Sequence, residues 1–174
     1  MANIIPERMR LFDVYIDGSM ESGIAEGELP SLEYMTSEVK GAGIAGTAET
    51  IVPGLFGSIT FTLKWRTTPK NFYTLAVPKV HNLDLYADME VFEAGAGQVK
   101  SQQLHVYVKA QTKHYNLGSL TVGESMEAET EHEVTYIKID YDGKNVVELD
   151  KYNYIYKVNG VDYLQESRRA LGRQ

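Results

Sequence analysis

The stretch Ser58-Ile-Thr-Phe-Thr-Leu-Lys-Trp-Arg66 alternates polar and apolar side chains over its whole length. Every second position is apolar, at Ile59, Phe61, Leu63 and Trp65. Because successive side chains of a β-strand point to opposite faces, this period of two predicts a strand with one face in a hydrophobic core. The stretch indicates a β protein, and similar patterns lie on both sides of it.

Two hairpins are predicted downstream of this strand. Residues 83–91 and 104–110 alternate in the same way on either side of a glycine-rich turn, and we expect them to pair. Residues 134–141 and 146–158 flank Asp142-Gly143. Asp-Gly favours the type I′ turn, whose twist matches that of the flanking strands, so a second hairpin is expected there.

The two ends of the chain complete the predicted architecture. Residues 11–16 predict a strand that ends at Asp17-Gly18, and residues 24–29 predict its partner. Asp162 is the expected cap of a C-terminal helix over residues 163–171. The expected fold is mainly β: a β-sandwich or partly closed barrel, in one domain over residues 1–174, with one short helix packed against it and one C-terminal helix.

A short internal helix is predicted directly after the strand over residues 58–66. Thr68-Pro69 offers an N-cap and a first-turn proline, and Pro78 ends the segment. The apolar face of this helix is expected to consist of Phe72, Tyr73, Leu75 and Ala76.

Residues 37–57 interrupt the strand pattern with five glycines and one proline, and a long loop of this kind usually has a function. Within it, Gly41-Ala-Gly43-Ile44-Ala-Gly46 matches the G-x-G-x-x-G pattern of dinucleotide-binding folds. That pattern binds a cofactor only between a strand and a helix of a βαβ unit, and the flanking residues predict neither, so we expect no cofactor. The segment instead predicts an inter-subunit loop that orders against a neighbour through Gly41, Gly43, Ile44 and Gly46.

Four glutamates alternate with other residues late in the chain: Glu127, Glu129, Glu131 and Glu133. In a strand they share one face at a spacing of about 6.8 Å. They form either a solvated face or an acidic wall that lines a channel and keeps polyanions moving. Ile137 and Ile139 fall on the same side as the glutamates, so the strand must leave that wall or contain a bulge.

Composition argues against several classes of function. The chain has no cysteine, which excludes disulfides, thiolate metal sites and cysteine nucleophiles. Its four histidines lack zinc-site spacing, and no G-x-S-x-G elbow occurs. A net charge of −7 opposes tight nucleic-acid binding. Residues 1–10 show no signal-peptide pattern, and no apolar run is long enough to span a membrane. We expect no catalytic residues, no metal, no cofactor and no membrane binding, and therefore not an enzyme.

The order of these features resembles the major tail tube proteins of contractile-tailed phages, a family that also supplies the tubes of phage-tail-like bacteriocins. The resemblance covers nearly the whole chain and is carried by Phe12-Asp-Val-Tyr-Ile-Asp-Gly18, Glu28-Leu-Pro30 with Leu32-Glu33, the Gly41–Gly46 loop, the helix Asn71–Val77, and Lys157-Val-Asn-Gly-Val-Asp162.

That resemblance implies a structural protein without catalytic residues, whose copies form hexameric rings stacked into a tube for DNA or effectors. The implied partners are other copies, the tail sheath protein, and the baseplate and tail terminator proteins, while DNA passes without specific binding. The implied location is the virion tail or a tail-like particle, assembled in the cytoplasm of the bacterial host. Two alternatives stay open: the tube subunit of a contractile secretion system, and a small-ligand-binding β-barrel.

Overall fold

The computed structural model describes residues 3–21 and 23–173. Residues 1–2, 22 and 174 of the predicted domain lie outside the described residues. The elements in chain order are β1 (Ile4–Ile16), β2 (Ser19–Glu21), β3 (Ile24–Glu28), β4 (Tyr34–Lys40), β5 (Thr47–Phe56), β6 (Thr60–Trp65), α1 (Lys70–Leu75), β7 (Val80–Glu93), β8 (Gln98–Asn116), β9 (Ala128–Tyr141), β10 (Lys144–Asp150), β11 (Ile155–Val158), β12 (Val161–Asp162) and α2 (Gln165–Ala170).

One large antiparallel sheet dominates the structure, with strand order β12-β11-β10-β9-β8-β7-β1-β2. A short second layer branches from it, because β6 also pairs with β9 and β3 pairs with β6. The inner faces of both layers form one core with α1, in which Phe61, Leu63 and Trp65 are buried as their alternation predicted. Over the residues that the structure describes, the sheets do not close into a barrel. The predicted mainly β fold with two short helices is confirmed.

A β-bulge in β9 is where the two layers separate. Val134 pairs with Ala110 and Tyr136 with Lys109, which leaves Thr135 as an extra residue. Before the bulge the free edge of β9 pairs with β6, and after it with β10. The extra residue resets the alternation, so Ile137 is buried although it has the parity of the glutamates. The sequence predicted either such a bulge or a strand that leaves the acidic wall, and the structure contains the bulge.

The predicted long loop over residues 37–57 is wrong. Most of that segment belongs to β4 and β5, which pair from Tyr34 with Phe56 to Lys40 with Thr47. The sequence pattern missed these strands because both faces of the hairpin are largely exposed, so no period of two develops. Only the glycine-rich tip between Lys40 and Thr47 is a turn.

The predicted partner of β1 is also wrong. β3 pairs with β6, while β1 pairs with β7 along its length and with the three residues of β2 at its end. The short β2 completes the tight turn at Asp17-Gly18, and β3 is then free to cross to the second layer. The predicted return strand over residues 146–158 is divided between β10 and β11 by a turn. In this turn the Asp150 carboxylate accepts hydrogen bonds from the backbone N–H groups of Tyr152 and Asn153, both at 3.0 Å.

Both helices differ from the sequence expectation in how they begin. No side chain caps α1, and the Thr68 hydroxyl instead accepts a hydrogen bond from half-exposed Tyr73. A helix of six residues can bury only one turn, here Phe72 and Leu75. Helix α2 begins two residues later than predicted, since the Asp162 carboxylate binds the backbone N–H of Leu164 and the guanidinium of Arg168.

A buried polar network lies within the core between β6, β8 and β9. The Trp65 Nε1–H donates to the Thr130 hydroxyl at 3.1 Å, and the His132 ring shares hydrogen bonds with Thr130 and Thr112 at 3.1 and 3.0 Å. Each polar group in this network therefore has a partner, which is what its burial requires. Burial, with a smaller contribution from His81, lowers the pKa of His132 to about 4.

The stability of the protein is expected to fall as the pH falls from about 6.5 to about 4. The unfolded chain protonates His132 near its ordinary pKa of 6.5, whereas the folded chain holds the ring neutral down to about 4. Protons therefore favour the unfolded state in that window, by about 3 kcal/mol at its lower end. Urea unfolding at pH 7 and pH 4.5 measures the effect. The difference should shrink in a His132→Gln variant, and an equal difference in both proteins would contradict this assignment.

Candidate assembly surfaces

The β4–β5 hairpin forms a separate two-stranded sheet that is attached mainly at its base. There the rings of Tyr34 and Phe56 pack against Tyr156 at centroid distances of 6.0 and 5.0 Å, and the Tyr34 and Tyr156 hydroxyls share a hydrogen bond of 2.5 Å. Close packing also requires glycine at position 54, since a Cβ on Gly54 would lie 2.6 Å from the Leu164 side chain. The hairpin thus has a fixed root.

Beyond this root the hairpin exposes apolar side chains at Met35, Val39, Ile44, Ile51 and Leu55. An isolated two-stranded hairpin is only marginally stable in water, and exposed apolar side chains add no stability by themselves. The hairpin is therefore a surface that gains from burial against another molecule.

The four predicted inter-subunit residues meet at the tip of this hairpin. Gly41, Gly43 and Gly46 have φ values of +144°, +89° and +109°, a region that other residues rarely adopt. The Ile44 N–H donates to the Gly41 carbonyl and the Gly46 N–H to the Ile44 carbonyl, both at 3.1 Å. This tight turn leaves the Ile44 side chain exposed at its end.

Three of the four predicted acidic residues share the outer face of β9: Glu129, Glu131 and Glu133. Glu127 does not join them, because it precedes the strand with a φ of +54°. Lysines lie near the row, with Lys113 Nζ 3.0 Å from Glu131 and Lys151 Nζ 3.5 Å from Glu133. The row is thus shorter and more neutralised than the sequence indicated.

Glu133 has a structural role in addition to its charge. Its carboxylate accepts hydrogen bonds from the Ser58 hydroxyl at 2.5 Å and from the Ile59 N–H at 3.3 Å. Partial burial opposes ionisation, but these bonds and Lys151 outweigh it and lower the pKa of Glu133. Glu129 and Glu131 lack such backbone contacts, which makes them the better probes of surface charge.

The outer face of the large sheet carries further carboxylates beyond β9, and Arg8, Arg10 and Lys138 pair with several of them. On β7 the residues that alternate with the core are Asp84, Tyr86, Asp88 and Glu90. His105 of β8 stacks on Tyr86 at 4.2 Å and shares a hydrogen bond of 2.8 Å with Asp84. The alternation of β7 is visible in the sequence, but its place beside β8 and β9 depends on the pairing of distant strands. Sequence reasoning therefore named only the β9 part of this face.

Residues 3–21 and 23–173 contain neither a cluster of metal ligands nor a membrane-spanning helix. Over these residues no three His, Asp or Glu side chains converge as metal ligands would. Neither helix in that part of the chain has the length and apolar character needed to cross a bilayer.

Comparison with known proteins relates this arrangement to phage tails. Residues 6–172 match the model of the family described as phage tail tube protein FII. The chain is 27% identical over 173 residues to the tail tube protein of Escherichia phage P2, covering 97% of this chain and 98% of that protein. It is 23% identical over 170 residues to the major tail tube protein of Serratia phage KSP20, with 97% of both covered.

A solved structure shares the fold at lower sequence identity. It is the sheath/tube terminator of an extracellular contractile injection system, PVC, determined by cryo-electron microscopy in the extended state. The TM-score is 0.56 at 12% identity, over 78% of this chain and 96% of that chain. The predicted resemblance to the major tail tube proteins of contractile-tailed phages is confirmed. This chain belongs to the phage tail tube protein FII family and is a structural tube subunit of the virion tail.

Proposed function

We propose that this protein forms the inner tube of a contractile tail as stacked hexameric rings, and that it has no enzymatic activity. The family match over residues 6–172 carries the proposal. The β4–β5 hairpin supports self-assembly, because it exposes apolar side chains along its strands and at its tip, which a neighbouring subunit can cover. The edge of β1 supports it too: among the described residues, 4–13 pair with β7 on one side only, and such an edge is suited to pairing across subunits.

The tube is a conduit for DNA or effectors, and its partners are the sheath around it, the baseplate at one end and the terminator at the other. Assembly takes place in the host cytoplasm. The fold shared with a sheath/tube terminator supports a common architecture for the tube and the protein that ends it. Repetition of one heterologous contact closes into a ring or continues as a filament, and a tube requires one contact of each kind.

Electron microscopy of the purified protein tests this function directly. We expect stacked rings or tubes with six-fold symmetry in end views. A protein that stays monomeric at high concentration contradicts the proposal. Rings with another number of subunits contradict the proposed stoichiometry.

We further propose that the acidic outer face, with Glu129 and Glu131, lines the channel. Each exposed charge is weak in water, because salt screens it over about 8 Å at physiological ionic strength. Within a narrow tube, repeated copies bring the charges close enough for their potentials to add. A negative wall then repels the phosphates of DNA, which passes without binding.

The double variant Glu129→Lys/Glu131→Lys is expected to form tubes that retain DNA. The new lysines would bind phosphates, so retention should fall as salt is raised. Filter retention of labelled DNA on purified tubes at several salt concentrations measures this. Glu33→Lys/Glu166→Lys is the matched control, since it changes the charge by the same amount at exposed positions outside the proposed contacts. Unchanged DNA retention with altered sheath attachment would place Glu129 and Glu131 on the outside of the tube.

One alternative has an observation in its favour. The fold shared with a component of a contractile injection system also suits the tube subunit of a contractile secretion device. Particles isolated from the native source separate the two, because a phage tail joins a DNA-filled head and a secretion device does not.

A further inference from the structure

An apolar groove opens at one end of the core, between the two layers of the fold. It has a volume of about 320 Å³ and includes Met9, Phe12, Leu29, Leu85, Met89 and Leu104 in its lining. The side chains of Met9 and Leu29 are about half exposed, at 50% and 46%. The core of the subunit is thus partly open to solvent at this end.

The groove exists because the layers differ in length. Strands β7 and β8 contain 14 and 19 residues, whereas β3 and β6 of the second layer contain 5 and 6. Past the end of β3 at Glu28, the inner face of the long strands continues at Met89 and Leu104, which line the groove. Glu26 is the charged residue in the lining, so the groove lacks the set of convergent polar groups that a small-molecule site needs.

The opposite end of the long strands carries an apolar protrusion, the loop over residues 117–127 between β8 and β9. Leu120 and Val122 at its tip are 90% and 103% exposed, as open as side chains in an extended peptide. Solvated loop tips are normally polar, and two apolar side chains with such exposure, separated by one residue, indicate a surface that binds a partner.

Hydrogen bonds hold this protrusion in shape. The Glu124 N–H donates to the Thr121 carbonyl at 3.2 Å across a turn with Gly123 at a φ of +86°, and the Ser119 N–H donates to the Met126 carbonyl at 2.9 Å. Gly118 is required at the base, because a Cβ there would lie 1.9 Å from the Met126 carbonyl oxygen. The loop therefore presents Leu120 and Val122 in a fixed position, and ordering them on binding costs little conformational entropy.

The protrusion is too far from the groove of its own subunit to fill it. Strand β8 passes the groove at Leu104 and ends at Asn116, from which the loop departs. At a rise of ~3.4 Å per residue these 12 steps span about 40 Å. Every other copy of this chain has the same groove, so a second copy is a suitable partner. A contact between opposite ends of two copies can repeat into a filament or close into a ring.

We propose that Leu120 and Val122 of one subunit bury in the apolar groove of the next. The inference rests on the proposed self-assembly and names a head-to-tail contact that contributes to it. The two surfaces match in chemistry: the protrusion is apolar and flanked by Gly, Ser and Thr, and the groove floor contains Met9 and Met89, whose flexible side chains adapt to an inserted group. Ile44 at the hairpin tip is the competing occupant, and the experiment separates the two.

Crosslinking tests the contact, since the natural chain has no cysteine. In tubes of Met9→Cys/Val122→Cys, a short bis-maleimide should link neighbours into a ladder on a denaturing gel. A ladder that stops at the number of subunits in one ring assigns the contact to the ring, and a longer one assigns it to the stack. Val122→Cys alone should give no ladder. Met9→Cys/Tyr152→Cys is the matched control, because Tyr152 is also highly exposed on a turn.

A second variant tests the contact without crosslinking. Leu120→Asp/Val122→Asp changes only fully exposed side chains, so the subunit should fold as before while tube formation is lost. Tubes of normal yield from this variant, or tubes of Met9→Cys/Val122→Cys without a ladder, would overturn the inference. A ladder from Met9→Cys/Ile44→Cys instead would also overturn it, in favour of the hairpin. If the wild-type protein forms no tubes, the proposed tube function is contradicted. The same crosslinking on concentrated protein then tests the contact between Val122 and the groove independently of tube formation.

Discussion

Replacing Trp65 with alanine is expected to lower the free energy of unfolding by about 3–5 kcal/mol. Trp65 is 1% exposed and packs edge-on against Phe72 at 5.6 Å. Its loss leaves a large cavity where β6 meets α1 and removes the donor that bonds Thr130. For a chain of this size the change is a large fraction of the total stability. Urea unfolding followed by circular dichroism at pH 7 measures the difference.

A Trp65→Phe variant is the control for this experiment. Phenylalanine keeps most of the apolar contact with Phe72 but lacks the indole N–H, so the expected cost lies well below that of alanine. If Trp65→Ala costs less than about 1 kcal/mol, the second layer is not packed on the core as described.

Replacing Gly41–Gly46 by Asn-Gly is expected to abolish tube assembly and leave a folded monomer. Lys40 and Thr47 form the last pair of the hairpin, so a two-residue type I′ turn can join them without a change of register. The tip makes no hydrogen bond to the rest of the chain as far as the structure describes it, and its loss should alter the free energy of unfolding by less than ~1 kcal/mol. Size-exclusion chromatography and electron microscopy measure assembly, and urea unfolding measures the fold.

Length and side-chain chemistry can be separated at this tip. The variant Ala42→Ser/Ile44→Ser/Ala45→Ser keeps the length and every glycine but removes the apolar groups. If it also fails to assemble, Ile44 and its neighbours bind by apolar contact, whereas normal assembly would assign the effect to the reach of the loop. Tubes of full length from the Asn-Gly variant would show that the tip is not an inter-subunit surface.

Sequence patterns identified the strands that bury one face and missed those that bury none. Phe61 and Leu63 alternate with polar residues because one side of β6 meets the core, and that alternation is readable in one dimension. The hairpin from Tyr34 to Phe56 has no buried face beyond its root, so its sequence lacks a period and resembles a loop. The Asp142-Gly143 turn was predictable for a different reason: both residues adopt positive φ, which few residues other than Gly, Asn and Asp tolerate.

The surfaces depended more on distant pairing. The row on β9 was visible as alternating glutamates, but Lys113 and Lys151 reach it from β8 and from the turn after β10. The apolar groove was not predictable, because Met9 lies on β1, Leu29 follows β3 and Leu104 lies on β8, and their proximity is a property of the layer lengths. The sequence shows Leu120 and Val122 only as two apolar residues in a glycine-containing loop. Their nearly complete exposure, which marks them as a binding surface, is known only from the structure.

The bulge at Thr135 determines where this protein can change length during evolution. Deletion of a residue between Ala128 and Val134 would exchange the inner and outer faces over part of β9, and would turn a buried residue such as His132 to solvent. Deletion of Thr135 alone keeps Val134 inside, Tyr136 outside and Ile137 inside, because it returns the strand to a regular alternation. Its cost is limited to the hydrogen bonds that Thr135 makes with Lys109 and Lys151, together with the bend. Among related tail tubes of different length, a gain or loss of one residue in this strand is therefore expected at this position.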